Sequence, residues 1–160
     1  MNLNYTIFKN FHKNKDIKFY TYSNCPISSR IKNNVFWEKH LHDIFEKFIN
    51  ERSIVIEGGC HIGTHTLKSK PIDVQLTTID DLKLEKLDFI KLDIEGYEQF
   101  AIMGGLETIK KFKPVITLES WLNHKGQINI NETKKRYLNL IDLGYEFHHI
   151  WGPDFLFIPK

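Results

Sequence analysis

The stretch KLDFIKLDIEGYE, residues 86–98, decides how the rest of the chain is interpreted. A short, largely apolar run ends in the acid Asp93, and a second acid and a glycine follow within three residues, at Glu95 and Gly96. This pattern is typical of a buried parallel strand that leads into a tight turn. Two further strands of the same kind are predicted by SIVIE, residues 53–57, and by KPVITLES, residues 113–120.

Helical patterns alternate with these strands. Apolar residues recur every three or four positions from Val35 to Asn50, and a second helical face is marked by Ile102, Met103, Leu106 and Ile109, with Gly104 and Gly105 inside that helix. A third helix is predicted from about Glu132 to Leu143, with Asn131 as its cap. The alternation predicts an α/β fold with a mostly parallel sheet and helices on both faces. The terminal run YEFHHIWGPDFLFIPK, residues 145–160, adds an antiparallel hairpin.

The composition is that of one ordered globular domain, residues 1–160. Charged residues make up 26% of the chain but leave a net charge of only +2, which argues against nucleic acid as a partner. The sequence contains no run of about 18 apolar residues, which a membrane-spanning helix would need, and Met1–Asn10 lacks the apolar core of a secretory signal. We therefore expect a cytoplasmic protein.

Glycines follow the strand SIVIE directly, in EGGCHIG, residues 57–63. Glycine allows a sharp turn and a close approach to a ligand, and the next helix would offer unpaired N–H groups. Glu57 at the strand end can accept hydrogen bonds from an amine or a hydroxyl. The loop has neither the dinucleotide nor the phosphate-loop pattern, so by itself it supports a structural turn as well as a ligand loop.

A metal site is not indicated by the histidines and cysteines. His61 and His65 are four residues apart, but no third ligand stands at a recognisable spacing. Cys25 and Cys60 are too few for a cysteine zinc site or a disulfide framework. The sequence therefore predicts no metal.

Three segments, in order, closely resemble the FkbM-type family of S-adenosylmethionine-dependent methyltransferases. They are FWEKHLHDIFEKFI (36–49), VIEGGCHIGTHTL (55–67) and the run from Thr77 to Glu119, which is the most specific. The resemblance implies a class I methyltransferase (Rossmann-like) fold and S-adenosylmethionine as the cofactor. It also implies methyl transfer to a hydroxyl oxygen on a sugar or another small molecule.

The same resemblance assigns the site residues. Asp93, Glu95 and Gly96 match the Asp-x-Glu-Gly motif of the family, and Glu119 matches the acid that ends the next strand. We expect Asp93 near the methionyl end of the cofactor and the acceptor, with Glu95 or Glu119 as the base; helix capping and turn stabilisation are the alternative roles. The implied cofactor-binding residues are Glu57, Gly58, Gly59, Cys60, His61, Gly63 and Asp93, although Ala and Asn are usual where Cys60 and His61 stand.

The chain is short between Gly63 and Thr77, where residues 64–76 provide only 13 positions. A strand–helix–strand unit takes about 30 residues. The strand whose acid would bind the cofactor ribose, and the next strand beside the adenine, do not fit, so the domain is predicted to be shortened around residues 67–76. The first strand then lies at or near a sheet edge, unless residues 17–23, residues 72–78 or another subunit covers it.

Two functions from different classes follow from these observations. In the first, the chain is an active methyltransferase, and a homo-oligomer that covers the exposed sheet edge would complete its site. Alternatively, it is a catalytically inactive, shortened relative that serves as a binding module or persists as a degenerate product. The family resemblance favours the first hypothesis, and the missing segment favours the second.

Overall fold

The computed structural model describes residues 4–12, 15–21, 29–30, 33, 38–59, 77–121 and 126–160. The chain divides into two compact units, Met1–Phe45 and Glu46–Lys160. The single domain expected from the composition remains a prediction.

The first unit contains an antiparallel strand pair. β1 (Asn4–His12) and β2 (Lys15–Thr21) form a two-stranded sheet of their own. Residues 17–21, part of the segment 17–23 considered as a cover for the first strand, therefore lie in β2 and pair with β1. Helix α1 (Lys39–Phe48) follows, within the predicted helical stretch 35–50.

The second unit is built on a five-stranded sheet in the order β3–β4–β5–β7–β6. The first three strands, β3 (Val55–Gly58), β4 (Phe89–Leu92) and β5 (Val115–Glu119), are parallel. The hairpin of β6 (Tyr145–Trp151) and β7 (Asp154–Pro159) joins them through an antiparallel pairing of β7 with β5. The predicted α/β class and terminal hairpin are confirmed, and the arrangement is that of a shortened Rossmann-like fold.

Four short helices accompany this sheet: α2 (Glu98–Met103), α3 (Leu106–Phe112), α4 (Ile130–Arg136) and α5 (Leu138–Asp142). Alternate residues of the strands pack against them in one core. The core includes Ile90, Leu92, Ile116, Leu118, Phe155 and Phe157 from the strands and Ile102, Ile109, Tyr137 and Leu140 from the helices. Phe89 and Thr117 point to the opposite face and are also buried, so the central strands are covered on both faces. None of the helices in the described ranges is long and apolar enough to cross a membrane.

Two helices differ from their predicted extents. Gly104 and Gly105 separate α2 from α3 instead of lying within one helix. A Cβ at Gly105 would lie only 2.9 Å from the Cβ of Ile79, so the glycine is required by close packing against the preceding segment. Met103, predicted on the apolar face, is exposed.

The helix predicted from Glu132 to Leu143 is likewise divided, into α4 and α5, at Tyr137. It begins earlier than predicted, because Asn129 rather than Asn131 is the cap. The Asn129 side chain accepts a hydrogen bond from the Glu132 backbone N–H at 3.1 Å.

Strand β3 is the outermost strand on its side of the sheet, in agreement with the predicted edge. Among the residues described by the structure, no strand pairs with its outer side. Val55 is 40% exposed, whereas Phe89, its register partner in β4, is fully buried. Residues 60–76, which include the whole of the shortened segment, lie outside the described residues.

Candidate functional site

Three acids lie where the three parallel strands end. Glu57 is in β3, Asp93 directly follows β4, and Glu119 ends β5. Neighbouring parallel strands in register present their carboxyl ends at one edge of the sheet, where ligands of such folds bind. A carboxylate oxygen of Asp93 lies within 4.8 Å of one of Glu119. The structure therefore brings together three of the acids selected from the sequence.

Lys91 lies between the acids of the first two strands. Its Nζ is 3.6 Å from Oε1 of Glu57 and 3.8 Å from Oδ2 of Asp93. These distances are too long for hydrogen bonds, so the attraction is electrostatic. The Lys91 side chain is 14% exposed, whereas that of Glu57 is 50% exposed. The acids therefore face solvent around a mostly buried cation.

Thr117 adds a polar group beside Lys91. The two residues are register partners on β4 and β5. The Thr117 hydroxyl is buried and, within the part of the chain that the structure describes, forms no hydrogen bond. A buried hydroxyl without a partner is uncommon in folded proteins. This row of Glu57, Lys91 and Thr117 depends on strand register, which the sequence pattern did not give.

The backbones of β3 and β4 meet at the glycine turn. The Asp93 N–H donates a hydrogen bond to the Gly58 carbonyl at 3.0 Å. Gly59 has a φ of +94°, a conformation that L side chains rarely adopt. The paired glycines thus let the turn after Glu57 pass directly against Asp93.

The turn from Asp93 to Glu98 is held by a buried carboxylate. Glu95 and Gly96 have φ values of 57° and 100°, so the backbone is left-handed at two successive residues. Oε1 of Glu98 accepts hydrogen bonds from the N–H groups of Ile94 at 2.8 Å and Gly96 at 3.3 Å. Glu98 is only 3% exposed. It was not selected from the sequence, although an acid in the first turn of a helix is a recognisable capping signal.

Glu95 and Glu119 occupy different environments. Glu95 lies in the exposed part of the turn. Glu119 accepts a hydrogen bond on Oε2 from the indole N–H of Trp121 at 3.0 Å. Trp121 was also missed from the sequence; the available signal was an aromatic residue two positions after the acid that ends the strand.

A buried polar network lies behind Glu119. The Ser120 hydroxyl is within hydrogen-bond distance of Arg136 Nη1, at 3.2 Å, and of the Thr133 hydroxyl, at 3.5 Å. Tyr137 belongs to the same network. Burial, together with the negative charge of Glu98, raises the pKa of Tyr137 to about 12, although Arg136 and Ser120 act in the opposite direction. The network connects α4 to Ser120, the residue directly after Glu119.

A model of the methyltransferase FkbM domain matches residues 10–152, which is most of the chain. The chain belongs to the FkbM methyltransferase family. Searches of curated proteins and of solved structures returned no match. The family predicted from the sequence is thereby confirmed, and membership of this methyltransferase family implies S-adenosylmethionine as the methyl donor.

Of the remaining residues assigned by the FkbM resemblance, some lie within the described part of the chain and others lie outside it. Gly58 and Gly59 form the turn against Asp93, as stated above. Cys60, His61 and Gly63 lie outside the described residues, so their cofactor contacts stay predictions.

Proposed function

We propose that this FkbM-family chain transfers a methyl group from S-adenosylmethionine to a hydroxyl oxygen of a sugar or another small molecule. The supporting observation is the convergence of Glu57, Asp93 and Glu119 at the ends of three adjacent parallel strands. Carboxylates are acceptors that suit an ammonium group and hydroxyl groups, so this donor set fits both the methionyl amine and an alcohol.

Glu57 and Asp93 are the residues proposed to bind the methionyl ammonium group. Their side chains are 50% and 28% exposed, so both are accessible to a ligand. Lys91 offsets part of their negative charge and holds them on either side of its own ammonium group. Gly58, Gly59, Cys60, His61 and Gly63 complete the proposed cofactor loop. When bound, S-adenosylmethionine supplies a methyl group activated by a sulfonium.

Glu119 is the proposed base. Methyl transfer from a sulfonium requires an aligned acceptor oxygen and removal of its proton. The Glu119 carboxylate would accept the proton that leaves the acceptor hydroxyl, and S-adenosylmethionine held by Glu57 and Asp93 would supply the methyl group. Asp93, within 4.8 Å of Glu119, would orient the hydroxyl. Glu95, exposed in the neighbouring turn, is the second candidate for the base.

Calorimetric titration with S-adenosylmethionine and its demethylated product tests this proposal. We expect micromolar binding by the wild-type chain and at least about tenfold weaker binding by Asp93→Asn, because one charge-assisted contact is lost. Asp142→Asn, an exposed acid on α5, is the matched control and should bind as the wild type does. If a sample with a cooperative thermal transition gives no heat of binding at millimolar ligand, the proposed methyltransferase function is wrong.

The exposed edge of β3 supports a second candidate function. Among the described residues no strand pairs with the outer side of β3, where the family resemblance would place the strands that bind the ribose and the adenine. An inactive relative that acts as a binding module, or that persists as a degenerate product, would not need a part of the sheet that binds the cofactor. A homo-oligomer covering the edge would favour the enzyme instead. Mass in solution, measured by light scattering alongside the titration, separates the cases: a monomer that binds no cofactor supports the inactive relative.

A further inference from the structure

We propose that Trp121 determines acceptor specificity, by stacking its indole against a saturated ring that carries hydroxyl groups, such as a pyranose. The inference rests on the proposed function, since it concerns the acceptor of the same site. It goes beyond that function by assigning the ring-binding surface to a residue outside the family motifs.

Trp121 is held at its indole N–H and at its backbone carbonyl. The indole N–H donates to Oε2 of Glu119 at 3.0 Å. Nη1 of Arg136 donates to the Trp121 backbone carbonyl at 3.1 Å. A Cβ built on Gly126 would lie 3.5 Å from Cζ3 of the indole, so Gly126 is next to the ring without a side chain against it. A ring fixed in this way loses little conformational entropy when a ligand stacks on it.

The indole is held but only partly covered. Trp121 is 36% exposed although its N–H and its backbone carbonyl both form hydrogen bonds. A tryptophan that served only for packing would place its large apolar surface in the core. Here that surface instead borders the carboxylate proposed to remove the acceptor proton.

The neighbouring acids give this surface its chemistry. Glu119 accepts a hydrogen bond from the indole itself, and a carboxylate oxygen of Asp93 lies within 4.8 Å of a carboxylate oxygen of Glu119. An apolar wall beside two hydrogen-bond acceptors matches a pyranose, which has C–H groups on its faces and hydroxyl groups on its rim. Stacking would align one rim hydroxyl with Glu119.

Saturation-transfer NMR with the methyl glycosides of glucose, galactose and mannose tests the inference. We expect at least one glycoside to receive saturation at the C–H groups of one ring face. Its affinity should fall at least about tenfold in Trp121→Ala and stay within about threefold in Trp121→Phe, which keeps a stacking surface. Leu138→Ala, which removes an exposed apolar side chain from α5, is the control and should not change the affinity. Circular dichroism would verify that each variant is folded.

Binding of S-adenosylmethionine, titrated in the same samples, separates this inference from the proposed function. If the cofactor binds but no glycoside shows binding that depends on Trp121, the stacking role is wrong and the methyltransferase stands. If a glycoside binds through Trp121 while the cofactor does not, the stacking role stands and the methyltransferase is wrong.

Discussion

Gly59 and Asp93 meet backbone to backbone: a Cβ added to Gly59 would lie 1.5 Å from the Asp93 carbonyl oxygen. No side chain fits at that distance. The contact fixes the end of β3, and thus Glu57, against the residue proposed to bind both cofactor and acceptor. The glycine turn therefore sets the spacing of the site as well as allowing the chain to bend.

Gly59→Ala should consequently destabilise the chain more than its backbone conformation alone requires. We expect a loss of more than about 3 kcal/mol in the free energy of unfolding, since β3 and β4 must separate where they end. Gly144→Ala is the matched control: Gly144 has a similar φ of +88° but nothing within 4 Å of its added Cβ. It should cost about 1–2 kcal/mol. Urea denaturation measures both, and equal losses would contradict the proposed contact.

Glu98 should act through the hydrogen bonds it accepts. Glu98→Ala leaves the N–H groups of Ile94 and Gly96 without their acceptor, and we expect it to cost about 3 kcal/mol of stability. Glu98→Gln retains an acceptor oxygen and should cost about 1 kcal/mol. Glu107→Ala, at an exposed acid in the first turn of α3, serves as the control. Similar losses for the alanine and glutamine variants would show that the charge, rather than the acceptor, stabilises the turn.

Lys91→Met should change the preference of the site for charged ligands. Removing the Lys91 ammonium group leaves Glu57 and Asp93 without their nearest described cation. Affinity for S-adenosylmethionine relative to its demethylated product, which lacks the sulfonium charge, should then rise about tenfold, and less at high salt because the effect is electrostatic. The ratio of the two dissociation constants, measured by calorimetry, tests this. An unchanged ratio would place the sulfonium away from Lys91.

Tyr137 should make stability depend on pH in alkaline solution. Its pKa of about 12 in the folded chain exceeds the ordinary value near 10, mainly because the phenol is buried. The folded state thus binds the proton more tightly, so this contribution is full below pH 10 and is lost as the pH rises towards 12. It amounts to about 3 kcal/mol. Tyr137→Phe should show a shallower decline in urea-unfolding free energy over that range; parallel declines would contradict the assignment.

Asp80 should stabilise α3 in its ionised form. It accepts hydrogen bonds from the N–H groups of Thr108 at 2.8 Å and Glu107 at 3.3 Å. Burial alone would raise the pKa of Asp80, but these hydrogen bonds and nearby Lys83 outweigh it and lower the pKa. The stabilisation is therefore present above the ordinary aspartate pKa and is lost as the pH falls through the lowered value.

Asp80→Ala tests this cap by thermal unfolding at several pH values. The variant should lose about 1 kcal/mol near pH 7, and the difference from the wild type should shrink in acid. Asp142→Ala should show neither effect. A difference that stays constant down to pH 2 would mean that the cap does not depend on the charge of Asp80.

The sequence by itself determined the parallel strands, the acids that end them and the family. A buried strand needs only a short apolar run, and the acids and glycines that follow it are local to the same run. Asp93 and Glu119 could therefore be placed at one edge of the sheet without coordinates. The edge position of β3 was also accessible, because a count of residues showed that no further strand–helix unit fits.

Only the tertiary structure decided which side chains meet. Lys91 reaches Glu57 through the register of two strands, and position 105 between α2 and α3 requires glycine because Ile79, 26 residues earlier in the chain, packs against it. Glu98 and Trp121 acquire their roles from the turn and the carboxylate that folding brings to them. Hydrophobic periodicity predicts which face of a helix or strand is buried. It does not predict which residues that face, or the polar residues beside it, will contact, since those partners are distant in sequence.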